Sequence, residues 1–457
     1  MSSIGSILNT GLRGMTASSG ATQATANNVA NSATVGYTRR STDIYPDNSL
    51  TAGGFSSRRV IEPFIQKRIL NAESGNAEAS STRASVDVLD KVYTEGDGSL
   101  GTSLDAFQVS VQNLSSNPDD TAVRQQVLAT AGTLATAFQN AAQSIAVARN
   151  DSNTQITEGV AQTNQRLTQI GKLGVQIQQT EVNGVEASDL RDQRDQLLRE
   201  VSQRVPISTI DQGHGQITVL LGGSQQLVSP DGTVSPLSVA PGDNGNLKIQ
   251  KTVAGATVDV TSLVTSGSVG GQLKTSAGAL VDAAKQLDQL AYDISNAYNT
   301  VHSAGYAQDG STGKDLFTAP ASVAGAAGAF SVSSDVAGQP QNIATASAST
   351  ALPSDNGNAL ALSAVASAPL AIGGMTVTEA LASLVGSAGS TVQDATQAQS
   401  FSSGALQQVQ TLYDDTSGVS SDDEMVSMMK YQRSYQASLK VIQTADQMLN
   451  ELINIRG

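Results

Sequence analysis

The sequence predicts a mainly α protein with a smaller β lobe (α+β): long N- and C-terminal helices paired as a coiled coil, a central helical bundle and an inserted β meander. Three observations lead there. Apolar residues recur at heptad spacing over much of the chain, the mark of helices packed on helices. One stretch, 207–265, breaks that rhythm with short β-prone runs between Gly- and Pro-containing turns. Both chain ends carry long, narrow apolar stripes, where termini are usually the least ordered part of a domain.

Residues 1–57 read as the N-terminal helix and loop of an inner coiled-coil domain. Ser3–Asn31 is one helix with a thin stripe of Ile4, Leu8, Leu12, Met15, Ala26 and Val29. Gly5, Gly11 and Gly14 each weaken it by about 1 kcal/mol relative to Ala. Ser32–Ser57, with Gly36, Pro46 and Gly53–Gly54, reads as loop with short extended pieces.

Residues 58–206 begin the helical bundle. Arg58–Val92 is helical and Gly96–Gly101 breaks it. Asn117-Pro118-Asp119 starts a long helix that runs to about Glu181. Its first half repeats Val127, Leu134, Ala141 and Ala148 against Ala131, Phe138 and Ile145. Its second repeats Ile156, Thr163, Ile170 and Ile177 against Val160, Leu167 and Gly174. The registers differ, so a break or stutter is expected around Asn150–Asn153, with Asn183-Gly184 as the end. Ser188–Arg204 forms the next helix, with Arg191/Asp195, Asp195/Arg199 and Glu200/Arg204 spaced as i,i+4 ion pairs.

The β-rich lobe, 207–265, has strands expected at Gln216–Leu221, Gln225–Val228, Leu247–Gln250 and Thr257–Val260. Residues 266–304 return to the bundle with a helix over Gly270–Ala304. Residues 305–358 are irregular and rich in Ala, Ser and Gly. Residues 359–416 complete the bundle, with helices at Asn358–Ala366, Thr378–Val385 and Ser390–Asp414. Residues 417–457 hold the C-terminal helix of the inner domain, Ser421–Ile455. Met428, Tyr435, Ile442 and Leu449 form one row, and Tyr431, Ser438, Ala445 and Leu452 the other. Asp422, Asp423 and Glu424 complement the dipole of its first turn. The stripes Ile4, Leu8, Leu12, Met15 and Val29, and Met428, Tyr431, Tyr435, Ile442, Ala445, Leu449 and Leu452, are expected to face each other, neighbouring subunits, or both.

Composition removes several functions. The 457 residues, a length suited to two to four domains, hold no Cys and two His, so thiolate zinc sites, cysteine nucleophiles and a His-based metal centre are not expected. The net charge of −14 argues against nucleic-acid or anionic-membrane partners. No apolar run reaches the ~20 residues that span a bilayer, and no charged n-region precedes an apolar core, so no cleaved signal peptide is expected. Yet 39% of the chain is hydrophobic, much of it in periodic patterns, enough to fold. His214 reads as a turn residue. His302 ends a helix, where a cation would meet the dipole favourably. Asp309–Lys314 fails as a phosphate loop, because Gln308 stands where Gly is required and Asp315 where Ser or Thr is. No catalytic, cofactor or metal residues are expected.

Asn27-Asn28-Val-Ala-Asn31 and Thr34-Val-Gly36-Tyr37-Thr-Arg39 resemble the N-terminal signature of the bacterial flagellar rod and hook axial proteins. Asp189-Leu190-Arg191-Asp192-Gln-Arg194-Asp195-Gln-Leu197 resembles the central motif of one of their families, the flagellar hook-associated protein 1 (hook–filament junction) family. Asn299–His302, Asp315–Phe317, Asp355–Leu362, Ser417–Ser420 with Glu424, and Leu452–Arg456 are similar to its later segments, in the same order. Family members often carry a larger β domain after the position of Phe317; here that outer domain is expected to be reduced or absent.

The resemblance implies a structural adaptor between hook and filament, outside the cell, with terminal helices lining a hollow tube. It implies export by the flagellar type III apparatus without signal cleavage. The partners it implies are copies of the chain, the hook protein, a second hook-associated protein, and a cytosolic chaperone on the C-terminal helix. Another axial subunit (hook, rod or filament protein) is the alternative. A secreted muramidase-like enzyme is a more distant one, since paired carboxylates are numerous.

Overall fold

The computed structural model describes residues 2–44, 55–94, 99–182, 184–253, 255–370 and 374–456. Pro46, Gly53, Gly54, Gly96 and Asn183, named above as turn or loop residues, lie outside them.

The chain ends meet. Helix α1 (Ser2–Ala30) and helix α11 (Ser421–Arg456) run antiparallel. Ser18 Oγ donates to Ser434 Oγ at 3.1 Å and Asn28 Nδ2 to Glu424 Oε2 at 2.9 Å. The row of α1 turned inward is a row of mostly small residues: Ile4, Gly11, Ser18, Ala21, Thr25 and Asn28 are buried. A Cβ on Gly11 would sit 2.7 Å from Ile442 Cγ1. The glycine that weakens an isolated helix is therefore what lets the two backbones approach. The apolar stripe read from the sequence lies partly to one side: Leu8, Met15 and Val29 are half-buried, and Leu12 is 50% exposed. On α11, Ala445 is buried and Met428, Tyr431, Tyr435, Ile442 and Leu449 are half-buried, whereas Leu452 is 49% exposed.

The bundle is built from α2 (Pro63–Thr94), α3 (Leu100–Ser116), the 61-residue α4 (Thr121–Glu181) and, later in the chain, α7 (Leu280–Ala304) and α10 (Val377–Ser417). Helix α3 was not read from the sequence, although Leu100, Leu104, Phe107, Val111 and Leu114 recur at helical spacing and all are buried. Ser99 caps its start. Helix α10 corrects the sequence reading of two pieces: a Thr376/Glu379 capping box starts one helix that runs through Gly386 and Gly389.

Helix α4 likewise crosses Asn150–Asn153 without a break. The register changes because the partner changes. Val127 to Ile145 face the bundle core. Ile156 to Ile170 face a second core, shared with α5 (Ser188–Ser202) and the β lobe. The lobe is two sheets rather than one meander: β3 (Ile207–Gly213), β4 (Gln216–Leu221) and β5 (Gln225–Val228), then β6 (Leu237–Pro241), β7 (Leu247–Val253) and β8 (Ala256–Asp259), antiparallel in chain order. His214 (φ 47°) and Gly215 (φ 74°) make the β3–β4 turn. Asn164 of α4 docks β6, with Nδ2 donating to Leu237 O and Oδ1 accepting from Leu237 N. After the lobe, α6 (Gly267–Lys274) leads through a π-helical turn, Thr275–Ala279, into α7.

The irregular segment 305–358 holds only short turns of helix, α8 (Ala326–Ala329) among them, before α9 (Gly357–Ala364). It is nevertheless part of the bundle core. Its Phe317 and Phe330 stack with Phe107, Phe138 and Tyr298 at centroid distances of 4.6 to 6.1 Å. Few aromatics thus do concentrated work in one knot. Two buried basic side chains fix the segment. Arg124 donates to Pro118 O, Ile343 O and Thr345 Oγ1, each at 2.7 Å. His302 is not the helix-end cation that the sequence suggests. It is fully buried, with Nδ1 2.6 Å from Lys314 O and Nε2 accepting from Ala344 N at 3.1 Å.

Two predictions follow from this packing. Gly5 has open space around it, so Gly5→Ala stabilises α1 by up to about 1 kcal/mol, whereas Gly11→Val pushes α11 away and lowers helicity of the terminal pair; circular dichroism melts of the two variants should move in opposite directions. Burial holds the His302 imidazole below its ordinary value of about 6.5. The unfolded chain gains a proton as pH falls through about 6.5 and the native state only lower, so this stability is complete above about 6.5 and lost below it. Comparing thermal melts at about pH 7.5 and 5.5, His302→Gln should remove that part of the acid sensitivity; an unchanged pH dependence would contradict the neutral assignment.

Candidate functional site

Three segments that are far apart in sequence meet where the terminal pair joins the body. The first is the end of α1 and the turn after it. Asn31 Nδ2 donates to Asn27 O at 2.9 Å and satisfies a carbonyl of the last turn. Gly36, at φ +83°, turns the chain back, so that Tyr37 Oη donates to Asn28 Oδ1 at 2.9 Å. The second is a hairpin, β1 (Arg40–Ile44) with β2 (Phe55–Arg59), which lays the Phe55 ring over Gly20 of α1. The third is the charged helix α5.

Asn28 is the pivot. It is fully buried and uses both ends of its amide. Oδ1 accepts from Tyr37 Oη and from Arg40 N, and Nδ2 donates to Arg40 O and to Glu424 Oε2, all at 2.9 to 3.0 Å. Glu424, in the first turn of α11, also accepts from Arg39 Nε at 2.7 Å. Arg39 N donates to Ser417 O at the end of α10. One amide side chain thus ties α1, the hairpin and α11 together, and Arg39 adds the end of α10.

Helix α5 holds the hairpin from the other side. Arg59 reaches Asp192 at 2.8 Å and Asp195 at 2.7 Å, while Arg40 pairs with Asp189. Arg191 makes two bonds of 2.7 Å to Glu181 at the end of α4, Arg194 donates to Gly215 O in the β3–β4 turn, and Arg199 pairs with Glu73 of α2. The i,i+4 pairs expected along α5 give way to these: Arg191, Asp195, Arg199 and Glu200 each pair with another element, Glu200 with Arg166. Cross-element pairs of arginine with carboxylate are better shielded and often bidentate, so they prevail over exposed pairs along one helix. Leu190 is half-buried and packs in the cleft beside Phe55. Burial pushes the Asp192 carboxyl above the ordinary carboxylate value, with Arg59 acting against it, and burial lowers Arg194.

The structure therefore brings Asn27, Asn28, Asn31, Gly36 and Tyr37 to the same joint as Asp189, Leu190, Arg191, Asp192, Arg194 and Asp195. Sequence reasoning missed Arg40, Arg59, Glu73 and Glu181 as members. The signal available was paired arginines, Arg39-Arg40 and Arg58-Arg59, in a chain with only 14% charge. Among the described residues no group of three or more His, Cys, Asp or Glu could hold a metal, and no helix is long and apolar enough to cross a membrane. The joint offers charge-assisted bonds between elements and no nucleophile–base pair, so mechanical coupling is what it can do. Asn28→Ala removes one of the two donors to buried Glu424 and should cost roughly 2 kcal/mol. Hydrogen exchange should quicken about thirtyfold in residues 31–44 and 417–428, with α3 and α4 unchanged; uniform exchange across the chain would refute a local joint.

Comparison with known proteins identifies the family. Residues 86–317, just over half the chain, match the flagellar hook-associated protein FlgK helical domain. Residues 412–455 match the flagellar basal body rod FlgEFG protein C-terminal model. Flagellar hook-associated protein 1 of Salmonella typhimurium is 29% identical over 68% of this chain, and the chain spans 59% of that relative's length. The protein of the same name from Bacillus subtilis is 28% identical over 98% of both chains. The solved flagellar hook junction protein FlgK from Burkholderia pseudomallei superposes with a TM-score of 0.66 at 17% identity, over 76% of this chain and 99% of that one. The chain belongs to the flagellar hook-associated protein FlgK family.

Proposed function

We propose that the chain is a structural subunit of the bacterial flagellum, located outside the cell, which joins the hook to the filament. The observation that carries this is the joint. The N-terminal signature, the central motif and the start of the C-terminal helix, each pointing to flagellar axial proteins, interlock through Asn28, Glu424, Arg40 and Asp192. A subunit between a flexible and a stiffer tube has to pass torque from terminal helices to body. A buried, multiply bonded joint resists bending better than a solvated linker would.

The terminal pair also has surface to give to neighbours. Ile7 and Leu12 on α1, and Val441, Met448, Leu452 and Ile453 on α11, remain exposed although Gly11, Ala21 and Ala445 are buried between the helices. On this reading copies of the chain cover those residues together with the open sides of Leu8, Met15, Val29, Met428, Tyr431, Tyr435, Ile442 and Leu449, whereas Ile4 and Ala445, also expected at a subunit interface from the sequence, are buried within the chain's own terminal pair. The hook protein and a second hook-associated protein flank the assembly. Export runs through the flagellar type III apparatus, with a chaperone on the C-terminal helix beforehand. The role is structural and not catalytic.

The match of residues 412–455 to a rod-protein model favours a second reading, another axial subunit. Antibody labelling of isolated flagella separates them. The proposal expects a thin band at the distal end of the hook; label along a long tube or at the base would overturn it. Leu452→Asp should leave the monomer's melting within about 0.5 kcal/mol of wild type, yet reduce incorporation into flagella at least tenfold; normal incorporation would remove the terminal helices from the interface.

A further inference from the structure

Beyond the joint, two unpaired patches of opposite charge lie near each other on the body. The first two turns of α2 carry Phe64, Lys67 and Arg68 at i, i+3 and i+4, one helix face. Phe64 is 64% exposed and the Arg68 guanidinium stacks over its ring at 5.8 Å. Lys67 and Arg68 are exposed, and neither makes an ion pair among the described residues. This contrasts with Arg39, Arg40, Arg59, Arg191 and Arg199, which are all committed to carboxylates. The acidic patch is the corner between α10 and α11. Asp414, Asp415, Asp422 and Asp423 are exposed there, also without an ion pair among the described residues, while Glu424 turns inward to the joint.

Members of the two patches line adjoining clefts. A cleft of about 500 Å³ is lined by Phe64, Lys67, Arg199 and Tyr413. A neighbouring cleft of about 440 Å³ is lined by Arg199, Tyr413, Asp414 and Val35. Arg199 and Tyr413, themselves in cation–π contact at 5.6 Å, separate them. Phe64 and Lys67 of the basic patch therefore open on one cleft and Asp414 of the acidic corner borders the other, at the same end of the α2–α10 pair.

We propose that the Phe64–Lys67–Arg68 face is a docking surface for the acidic α10–α11 corner of a second copy of this chain. This rests on the polymer reading above and adds a contact between bodies to the one between terminal helices. Charge complementarity selects the occupant. A nucleic acid or anionic surface reaching Lys67 and Arg68 would also meet the acidic corner of a chain with net charge −14. A second copy brings the acidic corner as the counterpart and leaves its own basic face free for the next copy. That is a heterologous contact, the kind that builds rings or helical tubes. The aromatic ring supplies an apolar anchor, and the rim charges steer encounter and set register.

The natural absence of Cys makes the test clean. Full-length Lys67→Cys and Asp415→Cys chains, produced together in the flagellated host, are oxidised in isolated flagella with copper phenanthroline. The expected result is a disulfide-linked dimer from the mixture and little from either chain alone. Lys67→Glu/Arg68→Glu should lower incorporation about tenfold, and adding Asp414→Lys/Asp415→Lys in the same chain should restore it. Circular dichroism confirms that each exposed-site variant folds. Normal incorporation of the charge-reversed chain with no mixed dimer overturns the docking surface and leaves the junction reading standing. Absence of the wild-type chain from flagella overturns both.

Discussion

The structure turns on the amide of Asn28. It sits at the end of a helix whose small residues cannot hold it in place alone, and it is bonded on both sides to chain from elsewhere. Through Glu424 it fixes where α11 begins, and through Tyr37 and Arg40 it fixes the return of the chain into the hairpin. A carboxylate buried at this point requires compensation, and it has two donors, Asn28 and Arg39. Arg59 repeats the logic from the body side by bridging Asp192 and Asp195. Breaking either center would strand charge in a low-dielectric site, which is why such a joint holds its geometry.

The body that receives this joint is organised by one helix. Helix α4 spans about 90 Å at ~1.5 Å per residue and serves two cores in turn. Its first half closes the aromatic knot together with α3, α7 and the segment 305–358. Its second half carries the β sheets, through Asn164 and the row Ile156 to Ile170. Because both cores share a continuous helix, displacement of the β lobe is coupled to the bundle. The Arg191–Glu181 pair then links the end of that helix to α5, and so to the joint.

The mainly α class with a β lobe, the terminal helices and both registers of α4 were legible in the sequence, because each rests on local periodicity. What escaped was set by contacts between distant residues. The sequence marks a register shift but not whether the helix breaks, since that depends on what packs against Ser152 to Val160. It marks Gly11 as a weak point, whereas Ile442 makes it a point of close approach. It places His302 at a helix end, but only the fold brings Ala344 N and Lys314 O to its two nitrogens. At the joint, the motif residues were visible as a resemblance, and the partners Arg40, Arg59, Glu73 and Glu181 were not. Arg191 and Asp195 look like a pair along one helix until Glu181 and Arg59 are placed beside them.

The most direct test of the central claim, that one buried joint couples the terminal pair to the body inside a hook–filament junction, is an image of the isolated junction at side-chain resolution. The account predicts α1 and α11 of each subunit antiparallel at the inner wall. Asn28 should be bonded to Glu424 and Arg40, with Arg59 held between Asp192 and Asp195. Terminal helices separated from one another in the assembly, with Asn28 and Glu424 apart, would contradict it.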